Sequence, residues 1–298
     1  MNTEVGARIT LKNVLFLTDF SEASEAALPF ALAIAREYGA TVHALHVLTP
    51  TSYLYTVPDP TLEIIEAQER SVRAEMQRVE AQLYGLPHEA MIERGIAVWP
   101  TIERALKDHD IDLIILGTHG RTGAKKLLLG SVAEEIFRRS NVPVFTIGPG
   151  VRSGTSNGAR FQCVLFATDF TPESLAATPY AVSLAQENQA LLLLMHVIQV
   201  REQRKEQALI ESSAAEVLHK LGELVSKDAD LWCHPETVVD YGDPAEKILE
   251  VAKRRGADLI VLGVRDAASR LGAATHLERA TAHKVVAHAA CPILTFRG

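Results

Sequence analysis

The chain has 298 residues, long enough for two ordinary domains that each bury a core. Its 47% hydrophobic and 22% charged residues exclude a disordered chain, and its net charge of -7 argues against a general nucleic-acid binder, which needs a basic surface to displace counterions. The opening MNTEVGARIT lacks the apolar run of a signal peptide, ALLLLMHVI is too short to span a bilayer, and three scattered cysteines without a C-x-x-C read as reduced thiols, so a cytoplasmic protein with no membrane partner is expected.

In chain order, NVLFLT from Asn13 is a buried strand candidate, and Ser21 to Arg36 has the apolar spacing of a helix. TVHALHVL is a second strand. Leu62, Ile65, Val72, Met76, Val79 and Leu83 recur at helical intervals and predict a long amphipathic helix. PTIERALKDHD opens with proline at an expected helix start. IDLIILG is a strand, Ser131 onward is a helix, and VPVFTIG closes the first half. Strands without polar alternation, separated by helices, imply a parallel sheet covered on both faces. Ligands of such sheets sit at the carboxyl ends of strands where the chain order switches, which puts Asp19, Val47 and Gly117 on one edge.

The same pattern then recurs. The segment from Asn13 is echoed by CVLFATDFTPESLAATPYAVSLAQENQALLLLMHVI from Cys163, pairing Asp19 with Asp169, Pro29 with Pro179 and His46 with His196, each 150 residues apart. IDLIILG matches ADLIVLG, and VPVFTIG matches CPILTFR. GPGVRSGTSNGAR between them has the composition of a linker. A repeat of this length is a duplicated domain, expected over residues 1–150 and 160–298.

GTHGRTGAKKLLLGSVAE, from Gly117 to Glu134, has the look of a phosphate loop, but it is neither a P-loop nor a G-x-G-x-x-G turn. Gly117 and Gly120 let the backbone approach an anion, Gly130-Ser131 opens a helix, and Arg121, Lys125 and Lys126 add positive charge. Asp19 suits ribose hydroxyls. Each residue also has a structural reading: Ser131-Val-Ala-Glu134 is a capping box, Asp19 can cap the first helix, the lysines can be solvated, and His46 and His196 can be core histidines. His276, His283 and His288 lack metal-ligand spacing, so no metal site is expected.

Gly117-x-x-Gly120 followed by Gly130-Ser131, with TDFS after the first strand and LHV after the second, resembles the universal stress proteins. The resemblance covers both halves. It implies an α/β fold of two tandem Rossmann-like (adenine nucleotide alpha hydrolase-like) domains, each a five-stranded parallel sheet, whose fifth strand pairs domains. It also implies an ATP-binding stress-response module, with Mg²⁺ optional, possible homodimerisation and no dedicated catalytic residue. Residue by residue, the resemblance carries the nucleotide to Asp19, Val47, Gly117, Gly120, Gly130, Ser131 and Val132, and Thr18 and Arg121 complete the expected binding set. The second half departs from the pattern: Asp266 stands where Gly120 is, and Arg279-Ala280 where Gly130-Ser131 is, so ATP is expected in the first half alone. A slow ATP hydrolase, with His119 as a base, or an ATP-using transferase is the alternative. A phosphoacceptor receiver would want adjacent acids after the first strand, and LTDFS supplies one.

Overall fold

The computed structural model describes residues 9–49, 62–118, 130–151, 160–199, 207–226, 231–264 and 274–298. The chain divides into two compact units, Thr10–Ile147 and Gly148–Gly298, the latter with Ile9. The first contains β1 (Asn13–Leu17), α1 (Glu22–Tyr38), β2 (Thr41–Leu48), α2 (Leu62–Leu83), β3 (His88–Arg94), α3 (Val98–Asp108), β4 (Leu113–Gly117), α4 (Ser131–Arg139) and β5 (Val144–Ile147). Its sheet runs β3-β2-β1-β4-β5 with every pair parallel.

Val14, Leu15, Phe16 and Leu17 are consecutive and all buried. Neighbouring strand residues point to opposite faces, so both faces of β1 are covered. One cover is α1, which buries Ala27, Phe30, Ala31 and Ile34. Its Phe30 ring lies 5.8 Å from that of Phe145 on β5. Ser21 is its N-cap, accepting from Ser24 N, and Gly39 ends it in the left-handed conformation at φ 65°. On α2, Val72, Met76, Val79 and Leu83 are buried at the expected helical spacing. Burying each such side chain is worth about 1.5–3 kcal/mol.

Two details differ from the sequence expectation. The helix read from Pro100 begins two residues earlier, with Ala97 as N-cap; Pro100 sits inside the first turn, where a backbone N–H has no intrahelical acceptor to lose. And HEAMIER forms β3, which the apolar runs do not announce. It flanks only β2 within its unit, and only Met91 of its seven residues is fully buried.

The second unit repeats the order with β6 (Cys163–Ala167), α5 (Pro172–Leu175), α6 (Thr178–Asn188), β7 (Leu191–Ile198), α7 (Gln207–Gly222), β8 (His234–Tyr241), α8 (Pro244–Arg255), β9 (Leu259–Val264), α9 (Ala274–His288) and β10 (Ile293–Arg297). Its sheet is β8-β7-β6-β9-β10, also parallel. Where α1 runs unbroken through Pro29, the equivalent helix is interrupted before Pro179, giving α5 and α6. Asp112 accepts from the backbone of Lys12 (2.7 Å) and Asn13 (3.0 Å), and Asp258 accepts from Gln162 (2.7 Å) and Cys163 (3.1 Å), so each half latches the start of its central strand alike. All three cysteines are buried and unpaired with one another. Burial, then the charge of Asp258, pushes the Cys163 thiol up to about 11 and the Cys291 thiol up to about 12. Among the described residues no helix is long and apolar enough to cross a membrane.

Candidate functional site

In the first half the chain order reverses between β1 and β4, and that crevice is where open α/β sheets take ligands. Three expected residues meet on this edge. Asp19 follows β1, Gly117 ends β4, and Val47 lies near the end of β2, two residues past the last pair of β1 and β2, Leu17 and Leu45.

The corner after β1 is built from side chains. Thr18 is buried; its hydroxyl donates to Ser24 Oγ (3.1 Å) and accepts from Phe20 N (3.0 Å), while its backbone N–H donates to Leu45 O (3.1 Å). These bonds hold Phe20 at φ 60°, a left-handed conformation that costs a non-glycine residue about 1–3 kcal/mol. His46 Nδ1 donates to Thr18 O (2.8 Å), and its ring stacks on Phe20 at 4.5 Å. His46 therefore braces the corner from the neighbouring strand, and His196 does the same with Thr168 O (2.8 Å) and Phe170.

Asp19 is not the cap of α1. Its Oδ1 accepts from both the backbone and the hydroxyl of Ser21, and Ser21 in turn caps the helix.

The glycines divide in role. A Cβ on Gly117 would stand 2.3 Å from Ala23 O and 2.4 Å from Ala23 C, so the glycine lets β4 approach the first turn of α1. Sequence reasoning assigns its missing Cβ to an anion; packing accounts for it without one. Gly130 donates to Thr118 O (2.7 Å), tying the helix start back to the end of β4. Thr118, which the sequence shows only as a threonine closing the apolar run IDLIILG, proves to be buried.

Gly130 is the N-cap of α4, and among the described residues no side chain caps it. Ser131 is thus the first helical residue, and the expected Ser131–Glu134 capping box does not form, since Glu134 N bonds Gly130 O at 2.8 Å. The backbone N–H groups of the first turn have no intrahelical acceptor, and Ser131 and Val132 beside them are exposed. Gly120 and Arg121, with His119, Lys125 and Lys126, lie outside the described residues.

The second half keeps the corner and changes the helix. Thr168, Asp169, His196, Val197 and Gly263 line a cleft of about 310 Å³ at the carboxyl ends of β6, β7 and β9. The Thr168–Ser174 bond (2.7 Å) and the Asp169–Thr171 bond (2.7 Å) reproduce the first-half network. Yet α9, described over Ala274–His288, already contains Arg279-Ala280, which therefore lie within the helix and not at its start. The N–H groups that face the corresponding position in the first half are here consumed by the helix itself. Asp266 lies outside the described residues.

Comparison with known proteins agrees with this duplicated architecture. The sequence pattern described as the Universal stress protein family matches residues 10–148 and again 160–297. A universal stress protein of Methanocaldococcus jannaschii is 31% identical over 140 residues, covering 46% of this chain and 81% of that protein. One of Mycolicibacterium smegmatis is 25% identical over 296 residues, 95% of this chain and 96% of its own length. The crystal structure of a universal stress protein from Archaeoglobus fulgidus has the same fold, at a TM-score of 0.66 and 22% identity over 97% of both chains. The chain belongs, over both of its halves, to the universal stress protein family.

Proposed function

We propose that this protein is a stress-response regulator that holds one ATP in its first half, with occupancy and not turnover as its output. The observation that carries the reading is the juxtaposition at the sheet's switch point: Asp19 and Val47 at two strand ends, beside a helix start whose N-cap Gly130 leaves the first turn, among the described residues, without a side-chain cap. An uncapped helix start offers N–H donors and a positive dipole end to phosphate. Asp19 offers an acceptor to ribose, and the backbone at Val47 offers edge hydrogen bonds to adenine, as the family resemblance implies. Arg121 and Gly120 complete the phosphate side in this reading, and Mg²⁺ is optional. Binding that favours only the folded form alters stability or a partner surface without a catalytic group.

Titration calorimetry with ATP tests it. One site per chain is expected, lost in Gly120→Asp, which copies Asp266; two equal sites would overturn the assignment to the first half. The cleft of the second half supports a narrower role for that half. It keeps the Asp169 and Val197 side of the site beside Thr281 and Ala282 in the body of α9, which suits an uncharged nucleoside better than a triphosphate. The apolar segments VPVFTIG and CPILTFR support pairing of the halves, and of whole chains, through their last strands. Small-angle scattering that showed two independent bodies would refute the pairing.

A further inference from the structure

At the opposite end of the first sheet, residues far apart in sequence meet around one carboxylate. His43 on β2 lies in register with Glu89 on β3, and His109 caps the end of α3. Glu89 Oε2 is 3.3 Å from His43 Nδ1 and 3.4 Å from His109 Nδ1. The two imidazole rings are 4.7 Å apart. His43 is buried, at 6% exposure, and among the described residues its Nδ1 has no hydrogen-bond partner, only the close approach of Glu89.

The neighbours fix which nitrogen carries the proton. Asn13 donates its amide NH₂ to Asp110 O (3.3 Å), which turns its Oδ1 toward His43 Nε2 (3.4 Å). An amide oxygen only accepts, so Nε2 bears the hydrogen and Nδ1 presents a lone pair to the carboxylate. Two acceptors facing one another, one of them on a buried ring and the other on a half-exposed carboxylate, leave room for a cation between them. A second proton would supply it only by burying a charged ring.

The other half shows how that room is filled where histidines are lacking. The corresponding strand pair there is Leu193 and Glu236, and the carboxylate of Glu236 is bound by Arg255 at the end of α8. A permanent cation from the helix end thus occupies the place where the first half has His109.

We propose that His43, Glu89 and His109 form a binding site for a divalent metal of the zinc type. Zinc takes nitrogen and oxygen ligands at about 2.0–2.2 Å, and tetrahedral donors around it stand about 3.4 Å apart, which matches the two contacts to Glu89. All three donor atoms lie within 4.8 Å of one another. Asn13 is the outer partner that sets the His43 tautomer, a usual companion of metal-binding histidine. Glu89 is half-exposed and His109 partly so, which gives the ion a path from solvent, and the carboxyl end of α3 favours positive charge. Three protein donors leave a fourth position for water. The ion would tie β2, β3 and the end of α3 together.

The test uses untagged full-length protein in equilibrium dialysis against Zn²⁺, with Co²⁺ absorption as a probe of the ligand field. One ion per chain is expected, with a tetrahedral Co²⁺ spectrum and a rise in Tm on adding Zn²⁺. Asn13→Ala should weaken binding roughly ten- to hundredfold. His109→Ala, a change at a partly exposed helix end that should leave the fold intact by circular dichroism, should abolish the stoichiometric site, and so should Glu89→Gln. Stoichiometric binding that survives His109→Ala and Glu89→Gln would place the ion elsewhere and overturn the proposal. So would absence of a stoichiometric site in the unmodified protein.

Discussion

Gly117→Ala separates packing from ligand binding at the residue that opens the glycine loop. The added Cβ would meet Ala23 O at 2.3 Å, Ala23 C at 2.4 Å and the Ala23 methyl at 2.9 Å. Two of the three obstacles are main chain, so no side-chain rotation relieves them, and the first turn of α1 must move away from β4. Overpacking of this kind costs typically about 1–3 kcal/mol, and a backbone clash belongs at the upper end. Gly117 does not need a positive φ, so alanine also lowers the entropy of the unfolded chain, which returns about 0.4–1 kcal/mol. The net loss is about 2 kcal/mol. With a urea dependence of about 2 kcal/mol/M, the unfolding midpoint of the first half should fall by about 1 M. Trp99 is buried in α3 at 6% exposure, whereas Trp232 is 61% exposed, so the red shift of tryptophan emission reports chiefly the first half. Adding Ala23→Gly should fail to rescue the variant, because the obstructing oxygen remains. A midpoint within about 0.2 M of the unmodified protein, or full rescue by Ala23→Gly, would refute the packing argument.

Other outcomes follow from the same structure. Asp112→Ala and Asp258→Ala each remove a carboxylate that holds two backbone N–H groups and should each cost about 1–3 kcal/mol, measured by denaturant unfolding of the separate variants. Cys163 and Cys291 are protonated when buried, with pKa values raised to about 11 and about 12, so Ellman's reagent should stay silent on the native protein even at pH 9 and count three thiols in guanidinium. The sign for stability is the same for both thiols: their contribution is full below the unfolded-state value and is lost as pH rises through the folded one. Phe20→Gly should relieve the left-handed strain but remove the stack on His46, so its unfolding free energy should change by less than Phe20→Ala, which keeps the strain and loses the ring. Phosphate release from ATP should be far slower than about one per second; faster turnover that disappears in His119→Ala would identify an enzyme.

The sequence made the central strands legible because β1, β2, β4 and β5 are buried on both faces and read as apolar runs. It hid β3 and β8, whose residues HEAMIER and HPETVVDY are mostly polar because these strands carry only partial cover. Helix starts were displaced for local reasons: Pro100 is tolerated anywhere in the first turn, and the cap falls on Gly130, whose backbone N–H bonds Thr118 O, and not on Ser131. The edge of the candidate site was readable, since a strand end followed by Asp or Gly is a property of one segment. The His43–Glu89–His109 cluster was not, because it joins three segments through the β2–β3 register, and no spacing along the chain encodes that register.

The duplication also tells which residues carry information about a ligand. Thr18, Asp19, Phe20, His46 and Gly117 all have counterparts in the second half, and each does the same structural work there: Thr168 bonds Ser174, Asp169 holds Thr171, Phe170 is left-handed, His196 bonds Thr168 O, and a Cβ on Gly263 would stand 2.2 Å from Ser174 Cα. A corner that the fold needs in both halves persists whether or not a nucleotide binds beside it. What differs is the segment after the fourth strand of each unit. In the first half it delivers a helix start at Ser131 that no described side chain caps; in the second the helix already spans Ala274–His288 and runs through the equivalent position. Phosphate recognition at this edge draws on free N–H groups, which a helix offers at its start and not in its interior. Restoring them in the second half therefore requires moving a helix boundary, not exchanging a side chain. Asp266→Gly alone should leave ATP stoichiometry at one per chain, whereas Gly120→Asp in the first half should remove the only site. If the single Asp266→Gly change raised the stoichiometry to two, the helix boundary would not be the determinant, and charge at that one position would be.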